Sequence, residues 1–262
     1  MCTVVVRVDP SGAWPVTVLA LRDESPERPW DPPAAWWPDL DPTVRGVRDR
    51  SAGGAWLAVS DRAGLAVVLN RAEPVPSEDG TWTTRGVLPL DAVTGTVPGA
   101  GGALPTTRAF NLVRASAQGV TVDTWDGATV HSETLGPGVH MITHGAPDDP
   151  SAPRIGRWLD AFRDAPAPTG PPALGPFDEL RAAGAGADPG DGWAGWFGVL
   201  AASSSLPADD PDAILRDAVE PDGHVATLSV VAAAVGHDRT VLQHARLAHP
   251  GRLDGSVELH RA

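Results

Sequence analysis

Residues 2–24 read Cys-Thr-Val-Val-Val-Arg-Val-Asp-Pro-Ser-Gly-Ala-Trp-Pro-Val-Thr-Val-Leu-Ala-Leu-Arg-Asp-Glu, and this stretch decides the fold. Thr3 to Val8 is a β-branched run, Asp9-Pro10-Ser11-Gly12 is strong turn chemistry, and Val16 to Leu21 is a second apolar run. Together they predict a β-hairpin. Pairing outward from a turn centred near residues 11 and 12 sets Cys2 opposite residue 21 or 22. The open end of the hairpin therefore gathers Cys2, Arg22, Asp23 and Glu24.

Cys2 is the only cysteine and follows the initiator methionine directly. Methionine is removed when the second residue is small, so the mature chain is expected to begin with Cys2, carrying a thiol and a free α-amine on one residue. Their ordinary pKa values, ~8.5 and ~8, lie close enough for a proton to pass between them. One residue then supplies both nucleophile and base. An arginine beside the thiol lowers its pKa and can hold a substrate carboxylate, and an aspartate can accept from an α-ammonium and orient it. A charged strand end is more often merely solvated; convergence on Cys2 is what marks this one.

Met1-Cys2-Thr3 followed by Leu21-Arg22-Asp23-Glu24 resembles the start of the NRDE family, also called the transport and Golgi organisation protein 2 family. Further segments fit in order: Arg28-Pro29, Trp36-Trp37, Arg48-Asp49, Gly53 to Ser60, Gly64 to Asn70, Arg85-Gly86 and Phe110 to Val113. That family resembles the N-terminal-nucleophile hydrolases, among them the cysteine amidases. The resemblance implies an α+β fold, a four-layer αββα sandwich of antiparallel sheets, with the nucleophile on the first strand and the whole of 1–262 in one domain. It also implies a linear-amide hydrolase, or else a non-catalytic carrier of haem or an acyl thioester; a diverged housekeeping protein whose site does something else is the third class. The chain departs from the pattern at Leu21, where the family has asparagine, and at Met141-Ile142-Thr143-His144, where an amide is expected in place of the histidine. A late arginine is also missing, and His224 is the nearest candidate for its place.

Cys2, Arg22, Asp23 and Asn70 are thus the expected catalytic residues. Asn70 follows the buried run Leu65 to Leu69, so its amide at a strand end can point into a cleft as an oxyanion donor, worth ~3 kcal/mol. An asparagine there also serves as a plain turn residue, yet the chain holds only two, Asn70 and Asn111. Glu24, Trp37, Thr143 and His144 are the candidate substrate-binding positions. No metal site is expected: His140 and His144 are four apart, which suits zinc only on a helix, and the stretch reads as a strand. His131, His140, His144 and Met141 are the side chains that haem iron would find if haem is cargo.

A net charge of -13 with no basic cluster argues against nucleic acid and anionic membrane surfaces. One cysteine excludes intrachain disulfides and fits the cytoplasm. No apolar run approaches the roughly 18 residues of a membrane span, and the amino-terminal residues have no signal-peptide character. A small-molecule substrate or ligand is the expected partner. All basic residues are arginine and tyrosine is absent, a bias typical of a GC-rich bacterial genome.

Elsewhere, Glu27 to Pro42 reads as a proline- and tryptophan-rich loop and Gly86 to Pro105 as a connection. Strands are expected at Phe110–Val113, Val120–Trp125, Thr129–Leu135 and Val139–Thr143, the middle pair turning at Asp126-Gly127. Ile155, Trp158, Leu159 and Phe162 form a helical stripe over Arg154 to Asp164. Shorter helices are expected at Phe177–Ala183, Trp193–Ala202 and Asp212–Val219, then strands at Val225–Val235 and Thr240–Leu247. This order of strands, helices and strands suits packed sheets with helices outside.

Overall fold

The hairpin forms as its sequence predicts. In the computed structural model, which describes residues 2–76, 80–102, 104–182, 192–221 and 223–262, β1 (Thr3–Val8) pairs antiparallel with β2 (Val16–Glu24) in the register Thr3↔Leu21 through Val8↔Val16. One more step outward puts Cys2 across from Arg22. Alternation along the two strands splits their side chains. Val4, Val6, Val18 and Ala20 join one buried cluster, and Val5, Leu19 and Leu21 join another.

The next strands are β3 (Trp30–Ala34), β4 (Arg45–Asp49), β5 (Ala55–Ser60) and β6 (Gly64–Asn70), followed by helix α1 (Val87–Thr94). Then come β7 (Phe110–Ser116), β8 (Gly119–Trp125), β9 (Val130–Leu135) and β10 (Gly138–Ile142). Helix α2 (Pro153–Asp164), the short β11 (Gly175–Pro176), α3 (Phe177–Ala182) and α4 (Trp193–Ser203) precede β12 (Asp217–Glu220), β13 (Gly223–Val235), β14 (Thr240–Arg246) and β15 (Glu258–Arg261). Among the described residues the strands make two antiparallel sheets. One has eight strands in the order β10-β1-β2-β13-β14-β15-β11, with β12 added beside β13; the other has seven, β3 to β9 in sequence order. The fold is α+β, a sandwich of two sheets.

One cluster joins Val4, Val6, Val18 and Ala20 of the first sheet to Val47, Leu57, Val67 and Val113 of the second. The other joins Val5, Leu19, Leu21 and Val230 to Ile155, Trp158 and Phe162 of α2 and Trp196, Phe197 and Leu200 of α4. The stripe on α2 therefore packs as its spacing predicts. Burying each such side chain contributes roughly 1.5–3 kcal/mol, which makes these clusters the main source of cohesion.

Three expectations fail. Part of the Glu27–Pro42 loop is β3, an edge strand: Pro32 and Pro33 donate no hydrogen bond, and the register with β4 slips between Asp31 and Ala34. The Gly86–Pro105 connection contains α1. Its Pro89 lies in the first turn, where no N–H partner is needed, and Gly95 closes the helix at φ 102°. The helix expected at Asp212–Val219 is instead a turn leading into β12, because Asp217 pairs with Ala226 and the Arg216 N–H donates to Thr227 Oγ1 at 2.9 Å. Met1, whose removal the sequence predicts, and Ala183, the expected end of α3, lie outside the described residues. No helix among the described residues is long and apolar enough to cross a membrane.

Candidate functional site

The open end of the hairpin borders a cavity of about 610 Å³ lined by Cys2, Arg22, Glu24 and Asn70, with Arg85 and Arg108 from the loops around α1. Trp56, Val68, Asp23, Arg28, Asp49 and Trp82 complete most of its wall. All four expected catalytic residues and Glu24 therefore border one space.

The two faces of β2 treat Arg22 and Asp23 differently. Arg22 is 3 % exposed; its guanidinium lies 5.6 Å from the Trp30 ring centre and 3.8 Å from Glu24 Oε2. Among the described residues its buried Nη1 has no hydrogen-bond partner. Burial lowers its pKa, opposed by the neighbouring Cys2, Glu24 and Asp49. Asp23 turns its carboxylate the other way: Oδ2 accepts from Arg154 Nη2 at 2.7 Å and Oδ1 from Thr227 Oγ1 at 2.7 Å. Arg154 also donates to Thr3 Oγ1 at 2.7 Å, fastening α2 to both strands of the hairpin.

A bulge in β13 makes this possible. Thr227 pairs with Asp23 and Ser229 with Arg22, so two steps on β13 oppose one on β2. In a regular strand residues 227 and 229 would share a face. The inserted residue lets Thr227 serve the carboxylate while Ser229 lies with Arg22.

The Cys2 thiol points to the Asp23 backbone carbonyl at 3.6 Å, within reach for sulfur. The expected lowering of its pKa does not occur. Burial raises it first and the Asp23 carboxylate second, outweighing Arg22. An adjacent guanidinium was the legible part of this environment; the desolvation of a 7 % exposed residue was not.

The other expected positions lie elsewhere. Thr143 and His144 line a separate cavity of about 60 Å³ with Arg154 and Arg216, and burial lowers the His144 pKa. Trp37 donates to Gly53 O at 3.0 Å and faces a third cavity of about 330 Å³ with Trp36, Leu40, Val87 and Leu90. His224 is exposed and paired with Asp217 at 2.6 Å, so it does not stand in for a late arginine. His140 is held by Asp148 at 2.7 Å and Gly136 O at 2.9 Å, and Met141 is buried against the helices. Neither of these, nor His131 or His144, borders the 610 Å³ cavity. Among the described residues no three His, Cys, Asp or Glu side chains gather as a metal site.

Sequence reasoning missed Arg154, Thr227 and the cavity roles of Arg28, Asp49, Arg85 and Arg108. Arg154 had a signal: it stands four residues before Trp158 and eight before Phe162, on the buried face of α2. Arg85 is placed by a close backbone approach, in which a Cβ on Gly54 would meet Gly86 backbone atoms at 2.5–2.7 Å and Ala55 N–H donates to Gly86 O at 2.8 Å. Thr83 then ties this loop to Thr106, backbone at 2.9 Å and hydroxyl at 2.7 Å.

The family model described as Transport and Golgi organisation 2 matches residues 1–167. The chain belongs to this family. The matched span carries every residue that lines the 610 Å³ cavity, and also Arg154. Thr227, the second partner of the Asp23 carboxylate, falls in the remainder that the family model leaves out. No curated protein matches the chain.

Proposed function

We propose that this family member is an amidohydrolase of the N-terminal-nucleophile type, active on a linear amide once Met1 is removed. The observation that carries the reading is the position of Cys2: the thiol just ahead of the first strand borders a 610 Å³ cavity, with Arg22, Asp23 and Asn70 around the same space. Two antiparallel sheets packed face to face, with Cys2 at the start of β1, agree with that fold type.

In this reading Cys2 Sγ attacks the amide carbonyl and its proton passes to the Cys2 α-amine. The C–N bond then breaks as that proton moves to the departing nitrogen, leaving a thioester. Water attacks the thioester, the C–S bond breaks and the thiol is restored. Asn70 is the oxyanion donor, while Asp23, held by Arg154 and Thr227, positions the hairpin end. The test is intact mass after incubation with an activated acyl ester. Loss of Met1 and one acyl adduct, absent in Cys2→Ala, supports the reading; a retained Met1 or no adduct removes it.

The alternative is a non-catalytic carrier on the same fold, favoured by the volume and arginine content of the cavity. A carrier binds haem or an acyl thioester as tightly in Cys2→Ala as in the native chain. Equal ligand binding with no adduct formation would select it.

A further inference from the structure

The arginines of the 610 Å³ cavity are unequally matched. Arg28 is bound to Asp49, Nη2 to Oδ2 at 2.6 Å and Nε to Oδ2 at 2.8 Å. Among the described residues Arg22 has Glu24 at 3.8 Å as its ion-pair partner and keeps a buried Nη1 without a hydrogen bond. Arg85 donates to a neutral carbonyl, Ala109 O, at 2.9 Å. Arg108 lies 4.6 Å over the Trp82 ring. Among the described residues neither Arg85 nor Arg108 has a carboxylate within ion-pair distance.

Two guanidiniums on one cavity wall repel each other, and Arg85, which is half-buried, loses hydration as well. The pKa of Arg85 is lowered by burial and then by Arg108. In a chain that carries far more acidic than basic groups, with a net charge of -13, two arginines facing one cavity, with no carboxylate among the described residues on either, leave a local positive field suited to an anion. Arginine forks suit the two oxygens of a carboxylate or phosphate, and the exposed Trp82 offers a flat apolar surface beside them.

We infer that this wall is an oxyanion-binding subsite, with Arg85 and Arg108 gripping a carboxylate or phosphate on a small molecule whose reactive end lies against Cys2 and Arg22. The subsite stands on its own geometry; the claim that the bound molecule is an amide rests on the function proposed above. The substrate class is then an N-acyl compound carrying a free acid group, an N-acyl amino acid being the simplest.

The test uses N-hexanoylglycine and its neutral counterpart N-hexanoylglycinamide, with binding measured by calorimetry on Cys2→Ala and turnover on the native chain. Tighter binding of the acid by about tenfold or more supports the subsite, as does a roughly ten- to hundredfold loss in Arg85→Gln and in Arg108→Gln. Arg108 is exposed, so its variant keeps the test valid if Arg85→Gln fails to fold. The acid's advantage should shrink as salt rises. Displacement of the acid by inorganic phosphate at lower concentration than by acetate assigns a phosphate rather than a carboxylate to the same subsite. An acid that binds no better than the amide, or a Arg108→Gln chain that discriminates as well as the native one, overturns the subsite. Acid-selective binding without turnover of either compound leaves the subsite standing and removes the amidohydrolase. Equal turnover of both compounds does the reverse.

Discussion

Arg154 Nη2 and Asp23 Oδ2 meet at 2.7 Å in the interior, joining the first turn of α2 to the end of β2. The two side chains are 4 % and 0 % exposed, so neither charge has water to fall back on. Removing one partner from such a pair costs about 3–5 kcal/mol, because the other is left buried and uncompensated. Arg154→Met should lower the unfolding free energy obtained from urea titration by that amount. Arg154→Met combined with Asp23→Asn should recover part of the loss, and a double variant no better than the single one would show that the pair is not coupled.

Asn111 is a second tie, between the two sheets. Its Nδ2 donates to Thr143 O at 3.0 Å and Gly145 O at 2.7 Å, and its Oδ1 accepts from Thr124 Oγ1 at 2.8 Å. Asn111→Ala strands the buried Thr143 carbonyl, at ~1–3 kcal/mol, and removes the partner of the half-buried Gly145 carbonyl and Thr124 hydroxyl. The expected outcome is a loss of about 3 kcal/mol in total, with faster amide exchange at residues 143–145. Unchanged exchange there would mean that the segment is held by other contacts.

Stability should fall in mild acid through His244. Burial, aided by Arg246 and His260, lowers its pKa to about 4, and Trp30 packs against its ring at 5.6 Å. The unfolded imidazole takes up a proton near pH 6.5 and the folded one only near 4, so protonation favours unfolding across that interval. The contribution is complete above pH 6.5 and is lost as pH drops to 4, by roughly 3 kcal/mol. Denaturant titrations at pH 7.5, 5.5 and 4.5 on the native chain and His244→Gln measure it. Parallel curves for the two chains would count against this residue.

Cys2 should alkylate slowly while Met1 is present. Its raised pKa leaves less thiolate at pH 7 than a free cysteine has, so iodoacetamide labelling should lag and accelerate as pH rises past the ordinary thiol value of ~8.5. Removal of Met1 gives Cys2 its own α-ammonium, a positive charge that favours the thiolate, and labelling at pH 7 should quicken. Equal rates for processed and unprocessed chains would mean that the terminal amine does not activate the sulfur.

What the sequence discloses here follows from how local each cause is. The hairpin register needs only two apolar runs and a turn, and it brings Cys2 to Arg22 correctly. The α2 stripe is likewise local, and its period also carries Arg154 inward. By contrast, β3 forms despite two prolines because β4 supplies a partner, and residues 217–220 are recruited by β13 from a helix-like stretch. The facing of Asp23 depends on a bulge 204 residues away, at Thr227. Neither Arg85 nor Arg108 belongs to a periodic pattern, so no reading of spacing would have brought them to Cys2.

The Gly54–Gly86 contact has a consequence for how this cavity changes over time. Its floor, Cys2 and Arg22, is part of a paired hairpin whose register cannot shift without turning both strands inside out. Its wall is carried by irregular segments around Thr83 and Thr106, anchored at the Gly54–Gly86 approach and by the Thr83–Thr106 backbone bond rather than by the hairpin register. Ligand preference and reactive chemistry are therefore written on separate pieces of chain, and replacement of the wall segments alone would give a descendant protein a new cargo while the sulfur stays where it is.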